Sequence, residues 1–164
     1  MVIPKRTTAR MQEPFCVFLI GMRINRAWKI HKSLPVFLEM PRMMAELRRR
    51  PDLGFRGGHV WFGRTVILLQ YWQSFEALVR YARQPDLAHL PAWGRFRKSV
   101  GNSGDVGIWH ETYVISEGQY ENVYHNMPPF GLGRVGRLLE ATGQRESASR
   151  RIHADLGRVT TEDR

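Results

Sequence analysis

The chain has 164 residues, 43% of them hydrophobic, with five Trp, five Tyr and eight Phe; that is enough for about one folded domain and too apolar for a largely disordered chain. No apolar run approaches the roughly 18 residues that span a bilayer, and a single cysteine, Cys16, excludes an internal disulfide and a multi-cysteine metal cage. The net charge of +10 sits almost wholly in residues 1–50, which hold 11 Lys/Arg against 3 acids, and no helix-turn-helix, zinc-finger or aromatic RNA-binding motif accompanies it, so specific nucleic-acid recognition has no support.

Residues 1–13 read as a basic arm, with Lys5, Arg6 and Arg10. The run PFCVFLIGM, residues 14–22, is short, apolar and rich in β-formers, which predicts a buried strand rather than a signal peptide. Val36, Met40, Met43, Met44 and Leu47 then recur at helical spacing, with Ser33 the expected N-cap, Pro51 the stop, and a kink or restart at Pro41. Two β-rich runs separated by Gly63-Arg64 predict an antiparallel hairpin near 55–62 and 65–72.

Ser74 is placed to cap a helix beginning at Phe75, which Pro85-Asp86 ends. Leu90, Trp93, Phe96 and Val100 mark a second short helix, with His89 at the joint. A strand near 105–115, a turn at Glu117-Gly118, a strand near 119–125 and a loop over 127–133 follow. Residues 134–164 are polar and weakly periodic, the pattern of a mobile tail. The order β, α, β, β, α(α), β, β is an α+β, ferredoxin-like βαββαβ plan with an extra strand, whose antiparallel sheet carries helices on one face and leaves the other to be covered.

Within the 105–115 strand, His110 and Glu111 are adjacent, so they point to opposite faces: Ile108, His110 and Thr112 to one, Trp109, Glu111 and Tyr113 to the other. If His110 faces the helices, its imidazole is a candidate base at neutral pH, and Glu111 a candidate partner for an Arg or a Tyr hydroxyl. Trp72, Trp93, Phe96, Trp109 and Tyr113 belong to a dense aromatic set that either lines a pocket for a flat apolar substrate or fills the core. No G-x-S-x-G, P-loop, dinucleotide fingerprint or H-E-x-x-H motif occurs, and no metal-ligand spacing is present.

The blocks VFLIGMRINRAWKIHKSLPVF, LLQYWQSFEALVRYARQPDLAHLPAW, SGDVGIWHETY and NMPPFGLG together resemble a family of small monooxygenase-like proteins in the dimeric α+β barrel superfamily, alongside antibiotic-biosynthesis monooxygenases. The resemblance covers about residues 14–133. It implies a domain over that span and a homodimer whose two sheets pack face to face; the single cysteine fits a reducing, cytoplasmic setting. A small hydrophobic, aromatic or polycyclic substrate would lie in a pocket between sheet and helices, and oxygenation would need no cofactor. It implies haem as the alternative, since haem-degrading monooxygenases and aldoxime dehydratases are distant kin; His89 stands where haem-degrading relatives carry their axial ligand, after a strand-ending Trp72. A non-catalytic ligand-binding dimer is the third reading.

Overall fold

The computed structural model describes residues 1–99 and 101–153. Its elements form two compact units, one of Met1–Phe15 with the chain from Val114 onward, the other of Cys16–Tyr113.

In the Cys16–Tyr113 unit the strands are β2 (Phe15–Ile24), β3 (Phe55–Trp61), β4 (Thr65–Trp72) and β5 (Val106–Ile115), in the sheet order β3-β4-β2-β5. β2 pairs antiparallel with β4, placing Cys16 opposite Trp72 and Ile20 opposite Leu68, and β3 pairs antiparallel with β4 as the hairpin that Gly63-Arg64 predicts. Hairpin partners side by side, with the first strand of the unit between them and the last, give the ferredoxin-like order.

Period-two alternation divides this sheet. Cys16, Phe18, Ile20, Val60, Leu68 and Trp72 face the helices, where Met40, Met44, Leu47, Leu78 and Tyr81 meet them in one cluster. Val17, Leu19, Ile67 and Leu69 lie on the opposite face, half-buried. The helices are α1 (Ile30–Arg49), α2 (Phe75–Arg83) and α3 (His89–Ser99). α2 starts where expected, the Ser74 hydroxyl accepting the Ala77 amide at 3.2 Å.

α1 departs from expectation twice. It begins ahead of Ser33, after a 3-10 turn at Ala27–Lys29, and it runs unbroken through Pro41. Burial of Met40, Met44 and Leu47 along its length outweighs the one backbone hydrogen bond a proline removes. Val100, expected to close the apolar stripe of α3, lies outside the described residues.

The other unit is a three-stranded sheet in the order β6-β1-β7, from β1 (Ile3–Arg10), β6 (Tyr124–Met127) and β7 (Arg137–Glu140), with the short helices α4 (Leu132–Val135) and α5 (Ala148–His153). The residues expected as a basic arm therefore contain a strand, paired antiparallel on both sides. Its signal was weak because the buried positions are Thr7, Thr8 and Ala9, two of them polar. Their hydrogen bonds come from side chains: Thr8 Oγ1 donates to the Asn122 carbonyl at 2.8 Å, while Asn122 accepts the Ala9 amide at 2.7 Å and donates to the Ala9 carbonyl at 2.9 Å. Those side-chain bonds replace the strand expected near 119–123, so β6 starts only at Tyr124.

The stretch expected as a tail from residue 134 supplies β7 and α5. Arg151, almost wholly buried, is bound by Glu121 and donates to the carbonyls of Arg145 and Glu146 at 3.0 and 2.6 Å. Residues 154–164 of that expectation lie outside the described residues.

Candidate functional site

A cavity of about 450 Å³ opens between the sheet and two helices of the Cys16–Tyr113 unit. β2 supplies Ile20 and Met22, α1 supplies Met40 and Met43, α3 supplies Trp93 and Phe96, and β5 supplies Ile108. The helical stripe and the strand alternation deliver these residues to the same space, Trp93 being the most exposed of them at 42%. Trp93 and Phe96, three apart on α3, stack with ring centroids 5.4 Å apart and form a flat wall. A pocket of this size with apolar walls and a few polar groups suits a small, flat ligand.

The polar groups are His89, Glu39, Arg95 and Lys98. Glu39 is fixed by Arg95 at 2.8 Å and Arg42 at 3.4 Å, so it ties α1 to α3 at the cavity wall. His89 is half-buried, and its Nδ1 lies 3.2 Å from the Ala82 carbonyl oxygen. A carbonyl only accepts, so Nδ1 carries a proton, and in the neutral imidazole the lone pair lies on Nε2.

The start of α3 is itself anchored. Glu46 of α1 accepts the Ala88 amide at 3.0 Å and the Tyr81 hydroxyl at 3.0 Å, closing the helix end with a carboxylate. Burial first, and the Glu46 hydrogen bond second, push the Tyr81 phenol far above its ordinary pKa.

His110, Glu111, Trp72, Trp109 and Tyr113, expected at the site, do not line this cavity. His110 is on the same face of β5 as Ile108, but it is two residues further along and exposed, its ring 5.7 Å from that of Phe18. Glu111 is on the opposite face, exposed, and accepts the Tyr113 hydroxyl at 2.6 Å, which raises the Tyr113 pKa.

Trp72 is fully buried core, its Nε1 donating to Gln70 Oε1 at 2.7 Å and its ring packed between Phe55 and Tyr81. The Trp109 indole lies against the backbone of Gly21, where an added Cβ would come within 2.3 Å of Nε1. Of the expected residues, Trp93, Phe96 and His89 stand together in the cavity. The residues sequence reasoning missed are Ile20, Met22, Met40, Met43 and Ile108, legible only as core periodicity, and the Glu39–Arg95 pair, whose separation along the chain left no signal. Among the described residues no group of three or more His, Cys, Asp or Glu stands close enough to hold a metal ion, and no helix is long and apolar enough to cross a membrane.

Comparison with known proteins adds the following. A family described as Monooxygenase af470-like matches residues 15–132. Monooxygenase af470 of Aspergillus fumigatus is 32% identical over 156 residues, covering 81% of this chain and 54% of that protein. Thus the chain spans about half the length of the curated relative it matches. Among solved structures, the aldoxime dehydratase OxdRE in complex with butyraldoxime superposes with a TM-score of 0.66 at 19% identity, over 83% of this chain and 43% of that one. SnoaB, a cofactor-independent oxygenase from Streptomyces nogalater, superposes with a TM-score of 0.44 at 17% identity, over 61% of this chain and 91% of its own.

Proposed function

The chain belongs to the Monooxygenase af470-like family, and from that premise we propose that it is a cofactor-free monooxygenase acting on a small, flat, electron-rich substrate held in the cavity between β2, β5, α1 and α3. The observation that carries the reading is His89: an imidazole that lines a largely apolar cavity and whose Nδ1–H is committed to a backbone carbonyl, so that in the neutral ring Nε2 is the nitrogen left to take a proton.

A phenolic or enolic methylene compound stacked on Trp93 and Phe96 loses a proton to His89 Nε2. The resulting carbanion passes an electron to O2, and a C–O bond forms to give a hydroperoxide. Loss of water from the hydroperoxide leaves a ketone, so one oxygen atom enters the product, the other leaves as water, and the substrate supplies all the electrons. The apolar walls of Met22, Met40, Met43 and Ile108 keep bulk water from the anion.

The reading moves the base from His110 to His89, because His110 is in water and His89 is in the cavity. It retains a homodimer, in which the face bearing Val17, Leu19, Ile67 and Leu69 packs against its copy. The test is oxygen uptake with a panel of polycyclic phenols. Turnover by the metal-free protein that is lost in Met43→Trp, which fills the cavity, is the expected result; binding of such phenols without oxygen uptake would leave a non-catalytic ligand-binding protein.

The same imidazole favours one second reading. His89 would be the residue to ligate a haem iron, Trp93 and Phe96 would supply apolar cover and Lys98 a cation for a propionate; haem would supply redox or Lewis-acid chemistry. A Soret band after haem addition that His89→Ala abolishes would select it.

A further inference from the structure

One end of the Cys16–Tyr113 unit gathers aromatic and cationic side chains that, Lys98 apart, do not line the cavity. There β2 ends, the β3–β4 hairpin turns and β5 begins. The Ile24 amide donates to the Arg64 carbonyl at 3.0 Å, Arg23 Nη1 to Thr65 Oγ1 at 3.2 Å, the Asn25 side chain to the Gly104 carbonyl at 3.1 Å and the Asn25 amide to the Asp105 carbonyl at 3.0 Å. The three loops are therefore one surface.

On that surface Phe62 is 79% exposed, Trp28 76% and Trp61 41%. Trp61 is held by His59, its ring 4.5 Å away, but Trp28 and Phe62 leave three quarters of their surface in water, which large aromatic side chains seldom do without a partner. Residues 22–30, 61–66 and 97–106 hold six cations, Arg23, Arg26, Lys29, Arg64, Arg97 and Lys98, against one acid, Asp105. Asp105 is buried and accepts from Arg26 at 2.9 Å and Lys29 at 3.1 Å. Trp28, between the two, sits on a 3-10 turn clamped at both ends by a carboxylate beneath it. The clamp fixes the turn and leaves its indole outward.

We propose that this end of the unit docks on an anionic lipid surface, with Trp28 and Phe62 inserted at the headgroup level and Arg23, Arg64, Arg97 and Lys98 paired to lipid phosphates. Indole rings favour the boundary between headgroup and acyl chain, phenyl rings enter it, and flanking cations add attraction to anionic lipid. A single-stranded nucleic acid would call for aromatics arranged as stacking platforms along a groove; here they project from the tips of a hairpin and a turn. Resting on the reading of the cavity above, the docked end also gives a route for an apolar substrate dissolved in the bilayer, because Met22, Phe96 and Lys98 of the cavity wall belong to the same end.

Sedimentation with phosphatidylcholine vesicles, with and without phosphatidylglycerol, tests the proposal. Binding is expected to the anionic vesicles, weakened by salt, and lowered roughly tenfold or more both in Arg64→Glu and in the double variant Trp28→Ala, Phe62→Ala. None of these residues lines the cavity, so circular dichroism and binding of a polycyclic phenol measured without vesicles should match the unaltered protein. No binding to anionic vesicles, binding unaffected by the aromatic variant, or preference for an oligonucleotide over vesicles would each overturn it. Loss of phenol binding in the unaltered protein would instead strike the functional reading and leave the vesicle result standing.

Discussion

His89 and His110 are the same residue type in different surroundings, and the surroundings decide what each can do. His89 has one ring nitrogen fixed by the Ala82 carbonyl and lines the cavity; His110 is on an exposed stretch of β5 beside Phe18. His89→Ala should therefore lower oxygen uptake by roughly 10²–10⁴-fold while His110→Ala leaves it nearly unchanged, as steady-state kinetics on the two variants will show. The reverse outcome would return the base to His110.

Tyr81 makes a pH prediction. Its phenol is raised above the ordinary 10.0, by burial and then by Glu46. The folded state therefore holds the proton more tightly than the unfolded one, and this contribution to stability is complete below pH about 10 and lost as the pH rises above it. Urea melts from pH ~8 to ~11 should show alkaline destabilisation that is shallower in Tyr81→Phe.

At the scale of the element, α1 and the β6-β1-β7 sheet carry the tests. α1 passes through Pro41 at the cost of one hydrogen bond and some crowding of the preceding turn, so Pro41→Ala should raise the unfolding free energy by about 1–3 kcal/mol in chemical denaturation. A drop would mean that the proline sets a bend the core requires. In the second sheet Arg151 is a buried guanidinium shared among Glu121 and two carbonyls. Arg151→Ala removes the donor those acceptors share and should cost about 1.5–3 kcal/mol, read as a fall in thermal midpoint. An unchanged midpoint would show that α5 contributes no stability to β1 and β7.

At the scale of the whole molecule the open question is assembly. The opposite face of the β3-β4-β2-β5 sheet presents Val17, Leu19, Ile67 and Leu69, and face-to-face packing with a second copy is the economical way to bury them fully. Light scattering at micromolar concentration should give twice the chain mass, and Leu19→Lys should shift it to the monomer while the cavity still binds a polycyclic phenol. A monomer in the unaltered protein would remove the two-sheet assembly from the functional reading.

The sequence by itself determined the elements whose signal is local. The apolar run PFCVFLIGM, the Gly63-Arg64 hairpin, the Ser74 cap and the spacing of Trp93 and Phe96 each lie within one strand, turn or helix, where a local signal maps directly onto structure. From these and the order of elements came the ferredoxin-like plan; the family came from the resemblance of four sequence blocks to known members. Tertiary structure alone decided what depends on partners distant in the chain. β1 has too few apolar residues to declare itself and becomes a strand because Asn122 and β7 satisfy its backbone. Trp72 and Trp93 are alike as letters, yet Gln70 and Tyr81 draw one into the core while the other lines a cavity. Which histidine meets that cavity was set by how far along β5 the helices reach and by one carbonyl at Ala82. A sequence pattern fixes which face a side chain takes; how far cover extends along that face follows only from packing.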